Sequence, residues 1–374
     1  MRRFFSAALL LAGLGLSTSV EAQNADARDY ELGYFAPNNS VAINVYGRHE
    51  GAEKPRNYTA TTGVLRATHL IKKGEWVFVP FDFSLPLTNL TLYSPIAPNS
   101  PANASIHTIG FGDLLWIPTI GTGITQNPQN HTHTWFALTP YVTIPTGNYA
   151  TKRLLNTGGN RWIFRPQIMA GQRFAKAFTV EAFANTAIYG KNDEYRVPAQ
   201  ALAAAQAAAP AVVPLLAGNK DLEQKPSFAA AVLTGMDLSP TFTLTASYYW
   251  AKNGRQTVDL GLPDAVAATP LGALETPNQR QTIHTLRMGM GIRVEKGTQL
   301  LFQFNQDLKT EGLAPITRGF YVRVTHVFFP PPKAPTARPD FTPKAEPQPQ
   351  PPAQAEPLPP PPAAPGAVQG PAPQ

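Results

Sequence analysis

Trp135-Phe136-Ala137-Leu138-Thr139-Pro140-Tyr141-Val142-Thr143-Ile144 is the stretch that decides the fold of this chain. Phe136, Leu138, Val142 and Ile144 fall on one side of an extended backbone. Trp135, Thr139, Tyr141 and Thr143 fall on the other. Alternation at period two marks a strand whose faces meet different surroundings. The same reading holds on both sides of this segment. In 161–174, Trp162, Phe164, Ile168 and Phe174 oppose Arg161, Arg165, Gln167 and Arg173. In 241–250, Phe242, Leu244, Ala246, Tyr248 and Trp250 oppose Thr241, Thr243, Thr245 and Ser247. In 298–309, Leu300, Phe302 and Phe304 oppose Gln299, Gln303, Asn305, Asp307 and Lys309.

About twelve such strands run between Val41 and Phe329, most of about 10–14 residues. A soluble strand is commonly about 5–6 residues long, whereas a tilted membrane-spanning strand needs about 9–11. Short connections such as Lys72-Lys73-Gly74, Ala175-Lys176-Ala177, Ser239-Pro240 and Glu295-Lys296-Gly297 alternate with long ones near 86–105, 147–160, 191–225 and 252–279. Short turns on one side and long loops on the other characterise outer-membrane barrels. The expectation is an all-β, transmembrane, antiparallel up-and-down barrel of about twelve strands, with both termini in the periplasm. A soluble β-sandwich is the competing architecture, but it uses shorter strands. The final run Phe320 to Phe329, ending in Phe328-Phe329, reads as a closing strand recognised by the outer-membrane assembly machinery.

Composition frames this body. Arg2 and Arg3, the apolar run Ala7–Leu16 and the small residues Val20 and Ala22 read as a secretory leader cut near Ala22. A polar lead-in, 23–40, follows. The tail, 330–374, carries nearly half of the 39 prolines, so it cannot pack a core and favours polyproline II. Extended, it reaches roughly 140 Å at about 3.1 Å per residue. Lys333, Arg338 and Lys344 make its start basic, as for a spacer or a strand docking on a cell-wall or envelope partner. There is no cysteine, and the net charge of +7 forms no block or stripe suited to nucleic acid.

Three stretches resemble a known family: Phe111-Gly112-Asp113-Leu114-Leu115, Pro140-Tyr141-Val142-Thr143-Ile144-Pro145-Thr146-Gly147, and Pro226 to Asp237. They are similar to the proteobacterial proteins of the phenol-degradation MetA pathway, over roughly Tyr30 to Phe329. The resemblance implies an outer-membrane barrel for passive uptake of small hydrophobic or aromatic compounds, distantly similar to the long-chain fatty-acid and toluene channels. Through its likeness to the fatty-acid channels it implies that the lead-in around Tyr34-Phe35-Ala36-Pro37 is either periplasmic or a short plug entering the lumen. It implies no catalytic signature and carries over no binding residues.

If the apolar faces meet lipid, the alternate faces meet the lumen. An arginine facing lipid at mid-depth costs roughly 2–4 kcal/mol. The expected lining is therefore Arg66, Arg161, Arg165, Arg173, Arg287, Arg293 and Arg323, with Asp82, Asp113, Glu181, Asp307 and Lys309. Trp76, Phe78, Trp135, Tyr141, Phe183, Tyr189 and Tyr321 join it as aromatics. The arginines pair with carboxylates and brace the bore, or form a path for small organic anions and aromatic acids; both readings hold together, because these seven arginines outnumber the four acids. The alternative to a channel is a non-conducting structural or adhesive barrel.

His131 and His133 have strand spacing for a shared metal, but no further ligand accompanies them, and exposed turn histidines are expected. No metal, cofactor or enzyme activity is expected. A hydrolase would need a serine beside a histidine base, and Ser84 is the least unsuitable serine. The Ala-rich run 199–209 has helix propensity on an outer loop, expected mainly as a mobile surface segment.

Overall fold

Strand follows strand around a closed wall because each alternating segment can bury its polar face only by curling away from the apolar one. The computed structural model describes residues 38–329, apart from 53–56, 94–104, 128–131, 152, 154, 175–176, 198–201, 203–204, 207–208, 269, 278–279, 296 and 313–315. The leader, the lead-in through Pro37 with its plug motif, His131 and the proline-rich tail lie outside these residues.

The chain begins with β1 (Ser40–Ala52), β2 (Asn57–Lys73) and β3 (Trp76–Tyr93). One interrupted stave follows, made of β4 (Ser105–Phe111), β5 (Leu114–Trp116) and β6 (Thr119–Asn127). β4, β5 and β6 all pair with β3, and β5 and β6 also pair with β7 (Thr132–Ile144), so the three pieces act as one strand. β8 (Ile163–Phe174) and β9 (Phe178–Tyr189) continue the wall. Then come β10 (Asn192–Tyr195), β11 (Lys220–Gln224), β12 (Ser227–Asp237), β13 (Phe242–Asn253) and β14 (Gln256–Val258). β15 (Gln281–Glu295), β16 (Thr298–Glu311) and β17 (Thr317–Phe328) complete the order. β17 pairs antiparallel with β1, from Val41↔Phe328 to Ala52↔Thr317, which closes the sheet. Counting β4–β6 once and leaving out β10, β11 and β14, which form a sheet of their own, the barrel has twelve antiparallel staves. Closure removes every open edge, as lipid requires.

Burial alternates along each stave. Phe136, Leu138, Phe164, Ile168, Val232, Leu244, Phe302 and Phe320 are exposed, while their polar and tyrosine neighbours are buried. A fold that is apolar outside and polar inside is that of a membrane-spanning barrel. Among the described residues no helix is long and apolar enough to cross a membrane. The wall is tight at one end, where Gly74 (φ 63°) and Gly297 (φ 89°) take the left-handed backbone of short hairpins. The other end carries the longer connections. There β3 extends to Tyr93, pairing with Asn57 of β2 and Ser105 of β4, so 86–93 belongs to the wall rather than to the expected loop.

Two irregularities correct the expected facing of side chains. Between His69↔Phe81 and Ile71↔Phe78, β3 carries one residue more than β2, a bulge around Val79-Pro80. Proline cannot donate to the ladder, and an extra residue reverses the alternation. Val77 and Val79 therefore turn inward onto Leu70, and Trp76 is 49% exposed. Trp76 stacks with Phe78 at 6.5 Å on the outer face, so neither lines the interior. A second bulge, between His284↔Lys309 and Thr285↔Asp307, turns Lys309 to the outer face, where it pairs with Glu311 at 2.7 Å.

The long connections after β9 and β13 also differ from expectation. β10, β11 and β14 form a three-stranded sheet over a separate apolar core of Val197, Ala205, Val212, Leu216, Leu222, Val258, Leu260 and Leu274. Leu202 and Ala209 of the Ala-rich run pack against it. Two helical turns, α1 (Val213–Leu216) and α2 (Asp264–Ala267), complete this loop-end subdomain.

Candidate functional site

Inside the barrel, register decides which side chains meet. Residues directly opposite on neighbouring strands, and their diagonal neighbours, lie within reach of long side chains. Arg165 stands opposite Tyr141, with its guanidinium carbon 4.4 Å from the ring centroid. Arg323 stands opposite Tyr46, at 5.9 Å. Arg287 reaches diagonally to Tyr249 at 3.7 Å, and Arg161 to Tyr189 at 4.7 Å. A planar guanidinium stacked on a ring keeps its N–H donors in its own plane, directed sideways rather than at the ring.

Three pairs of a carboxylate ladder stand inside the wall. Arg66 donates through Nε and Nη2 to the two oxygens of Asp82, at 2.7 and 2.6 Å, and through Nη1 to the Tyr46 hydroxyl at 3.3 Å. Arg173 pairs with Asp237 at 2.7 Å near the tight turns. Arg48 pairs with Glu50. Asp113 and Asp307 serve the backbone and threonines instead. Asp113 accepts from the N–H groups of Gly147 and Gly159, at 2.9 and 2.7 Å, clasping the connection between β7 and β8. Asp307 accepts from the hydroxyls of Thr285 and Thr317 and from the Thr317 N–H.

Arg161, Arg165, Arg287, Arg323, Asp82, Asp113, Glu181, Asp307, Trp135, Tyr141 and Phe183 are all buried, and Arg66 and Arg173 partly so. Arg293 is a correction. It keeps the inward alternation of β15 but lies at the strand's end, exposed, and donates to the Pro240 carbonyl at 3.0 Å. Arg48, Glu50 and Asp237 were not anticipated. Among the described residues, the interior arginines are Arg48, Arg66, Arg161, Arg165, Arg173, Arg287 and Arg323. The interior acids are Glu50, Asp82, Asp113, Glu181, Asp237 and Asp307. Seven against six leaves a surplus of one, smaller than the sequence suggests, so what matters is where the charge is left open.

It is left open at Arg287. Across β8, β9, β12 and β13, Met169, Phe183, Ala231 and Tyr249 are successive register partners, forming one row on the inner wall. The small Ala231 between two rings lets Phe183 and Tyr249 meet edge to face, 5.8 Å apart. Trp135 completes the cluster with Leu233. Gly171 permits this, because a Cβ there would stand 2.2 Å from the Trp135 ring. Arg287 lies over Tyr249 at the edge of this row, buried, and no carboxylate among the described residues pairs with it. Its Nε and the Trp135 Nε1 have no hydrogen-bond partner there. Apolar walls with two open donors suit a flat solute bearing an acceptor or a negative charge. Tyr249 was legible in principle, since the alternation of Thr243, Thr245 and Ser247 extends to it.

The histidine expectation fails at its second member. β7 begins at Thr132, so His133 continues the interior row and is buried beside Trp135, with ring centroids 5.1 Å apart. Among the described residues no group of three or more metal-binding side chains gathers. Ser84 is buried, and its register partners are Arg66 and Leu115, neither of them a base suited to activating it.

These features meet in one known class, the single-chain β-barrels of twelve antiparallel strands. The chain belongs to the family described as putative MetA-pathway of phenol degradation, whose family model matches residues 47–323. The COG4313 outer membrane channel from Pseudomonas putida F1 has a similar fold, with a TM-score of 0.62 at 19% identity over 82% of this chain and 100% of that one. The KdgM porin in complex with disordered oligogalacturonate gives 0.37 at 6% identity, covering 77% and 99%. The transport unit of the autotransporter AIDA-I from Escherichia coli gives 0.42 at 8%, covering 87% and 97%. No curated protein sequence matches the chain.

Proposed function

We propose that this protein is an outer-membrane channel for the passive uptake of small aromatic compounds, carboxylate-bearing ones among them. The observation that carries this reading is Arg287, stacked on Tyr249 beside Phe183, Met169 and Trp135, with no acid among the described residues in ion-pairing contact with it. Family membership supports the aromatic substrate class, and the Pseudomonas channel supports conduction. In this reading the tight turns face the periplasm and the long connections face outward. The leader is cut near Ala22, Phe328 and Phe329 present the assembly signal, and the tail beyond Pro330 reaches towards the cell wall.

A planar bilayer tests the reading directly. Under a salt gradient, purified protein gives a reversal potential favouring anions, and benzoate moves the current more than an aliphatic acid of equal charge. A cation-selective reversal potential overturns the anion reading. A second reading, a barrel filled by its own side chains, draws on Tyr46, Val64, Leu301 and Tyr321, which cluster from the staves β1, β2, β16 and β17. No conductance at all would favour it.

A further inference from the structure

The place where the loop-end subdomain meets the barrel holds a second polar site. Gln224 of β11 and Gln256 of β14 are direct register partners, and so are Leu222 and Val258 two residues along. All four share one face of the small sheet. Leu222 and Val258 enter the apolar core, while Gln224 and Gln256 carry the face on to Arg161, the residue two before β8. The Arg161 Nη2 donates to the Gln224 Oε1, and the Gln256 Nε2 donates to the same oxygen at 3.0 Å.

The orientation of both amides follows from chemistry. A guanidinium only donates, so Gln224 must turn its oxygen to Arg161. Gln256, meeting that oxygen, must then turn its nitrogen inward, which leaves its own oxygen pointing elsewhere. That Gln256 Oε1 is buried with no partner among the described residues, in a side chain that is 0% exposed. Arg161 is 2% exposed, and its Nε and Nη1 also lack partners. Tyr189 occupies a face of the guanidinium at 4.7 Å and donates to the Ser227 hydroxyl at 2.9 Å, which holds the ring in place. The Gly254 N–H also donates to that hydroxyl, at 2.8 Å, and a Cβ on Gly254 would stand 1.8 Å from the Lys225 carbonyl oxygen. The strands can approach this closely only with glycine there. Burial pulls the Arg161 guanidinium down to about 10, which leaves it cationic at neutral pH.

Two open cationic donors and one open neutral acceptor therefore flank the Gln224 carbonyl in a buried setting. Unmade hydrogen bonds of this kind are costly, and a ligand that completes them is held strongly. A bare carboxylate meets one edge of the guanidinium, that of Nε or that of Nη1, and leaves the Gln256 oxygen unmet. We propose that Arg161, Gln224 and Gln256 form a binding site for a small carboxylate that also carries a hydroxyl group, the carboxylate accepting from Arg161 and the hydroxyl donating to the Gln256 Oε1. This site is distinct from Arg287 and does not require the barrel to conduct.

Equilibrium binding of 4-hydroxybenzoate, benzoate and phenol to the full chain in detergent tests it. The wild type is expected to bind 4-hydroxybenzoate about three- to tenfold more tightly than benzoate, as one neutral hydrogen bond predicts, and at least about tenfold more tightly than phenol, which lacks the charge-assisted bond to Arg161. Gln256→Met, close in volume, should erase the preference over benzoate while leaving benzoate affinity in place. Arg161→Gln should weaken both acids and spare phenol, with folding followed by the heat-dependent gel shift of an intact barrel. Equal affinity for the two acids in the wild type overturns the proposal. So does an unchanged preference in Gln256→Met, or no saturable binding at all; each would leave the trio as a structural latch between subdomain and barrel.

Discussion

Two arcs of one wall carry the same residue type to different ends. On the β1–β3 arc, Arg66 projects inward and finds Asp82 on the adjoining strand, with both carboxylate oxygens engaged. On the β9–β15 arc, Arg287 projects inward and finds the ring of Tyr249 at 3.7 Å. A carboxylate cancels the charge and occupies the donors. A ring stabilises the charge through its quadrupole and leaves the donors open. The difference teaches that whether an arginine's charge is cancelled or left open follows from the cross-strand neighbour it meets rather than from the number of arginines.

The largest effect is expected on removing the cancelling partner. Asp82→Asn leaves Arg66 partly buried without its acid and should cost about 2 kcal/mol of unfolding free energy, below the full cost of breaking a buried pair because the Arg66 side chain is 23% exposed. Denaturant unfolding in vesicles measures the loss. The same variant should make the β1–β3 arc resemble its counterpart, raising the anion-to-cation permeability ratio; an unchanged ratio would show that Arg66 lies off the ion path. Gly171→Ala strikes the aromatic arc, where the added Cβ meets the Trp135 ring. Overpacking of this kind costs about 1–3 kcal/mol, and quenched or shifted tryptophan fluorescence should accompany the drop in midpoint.

A functional effect comes next. Arg287→Gln keeps the length of the side chain and removes its charge. The permeability ratio should fall severalfold towards unity while the unfolding midpoint moves little, because no ion pair is broken. A ratio that stays put would transfer selectivity to the other arc. The smallest effect belongs to Lys309→Met. Lys309 and Glu311 form an exposed pair on the outer face at the loop end, so neither selectivity nor midpoint should change measurably. A shift in selectivity would return Lys309 to the interior and contradict the bulge between β15 and β16.

Much of this was legible in the residues themselves. Twelve staves, their long-and-short connections and the inward side of Trp135, Tyr141, Arg165 and Arg287 follow from period-two alternation. That pattern is local, and it needs no knowledge of which strand lies next to which. Other features were not legible. The parity of Trp76 and Phe78 depended on one extra residue at Val79-Pro80, which is counted only against the partner strand. Tyr46, Tyr249, Arg48 and Glu50 acquire their roles from cross-strand neighbours. The connections 190–226 and 254–280 look like two separate loops, yet β11 and β14 pair across them to build one subdomain and place Gln224 beside Gln256.

By itself, then, the sequence determined that this chain forms a closed barrel with an apolar outside and a charged, aromatic inside, because lipid and interior sort residue types strand by strand. Only the tertiary structure decided which charges are cancelled and which stay open. Ion pairing and stacking act over a few ångströms, and register sets those distances between residues far apart in the chain.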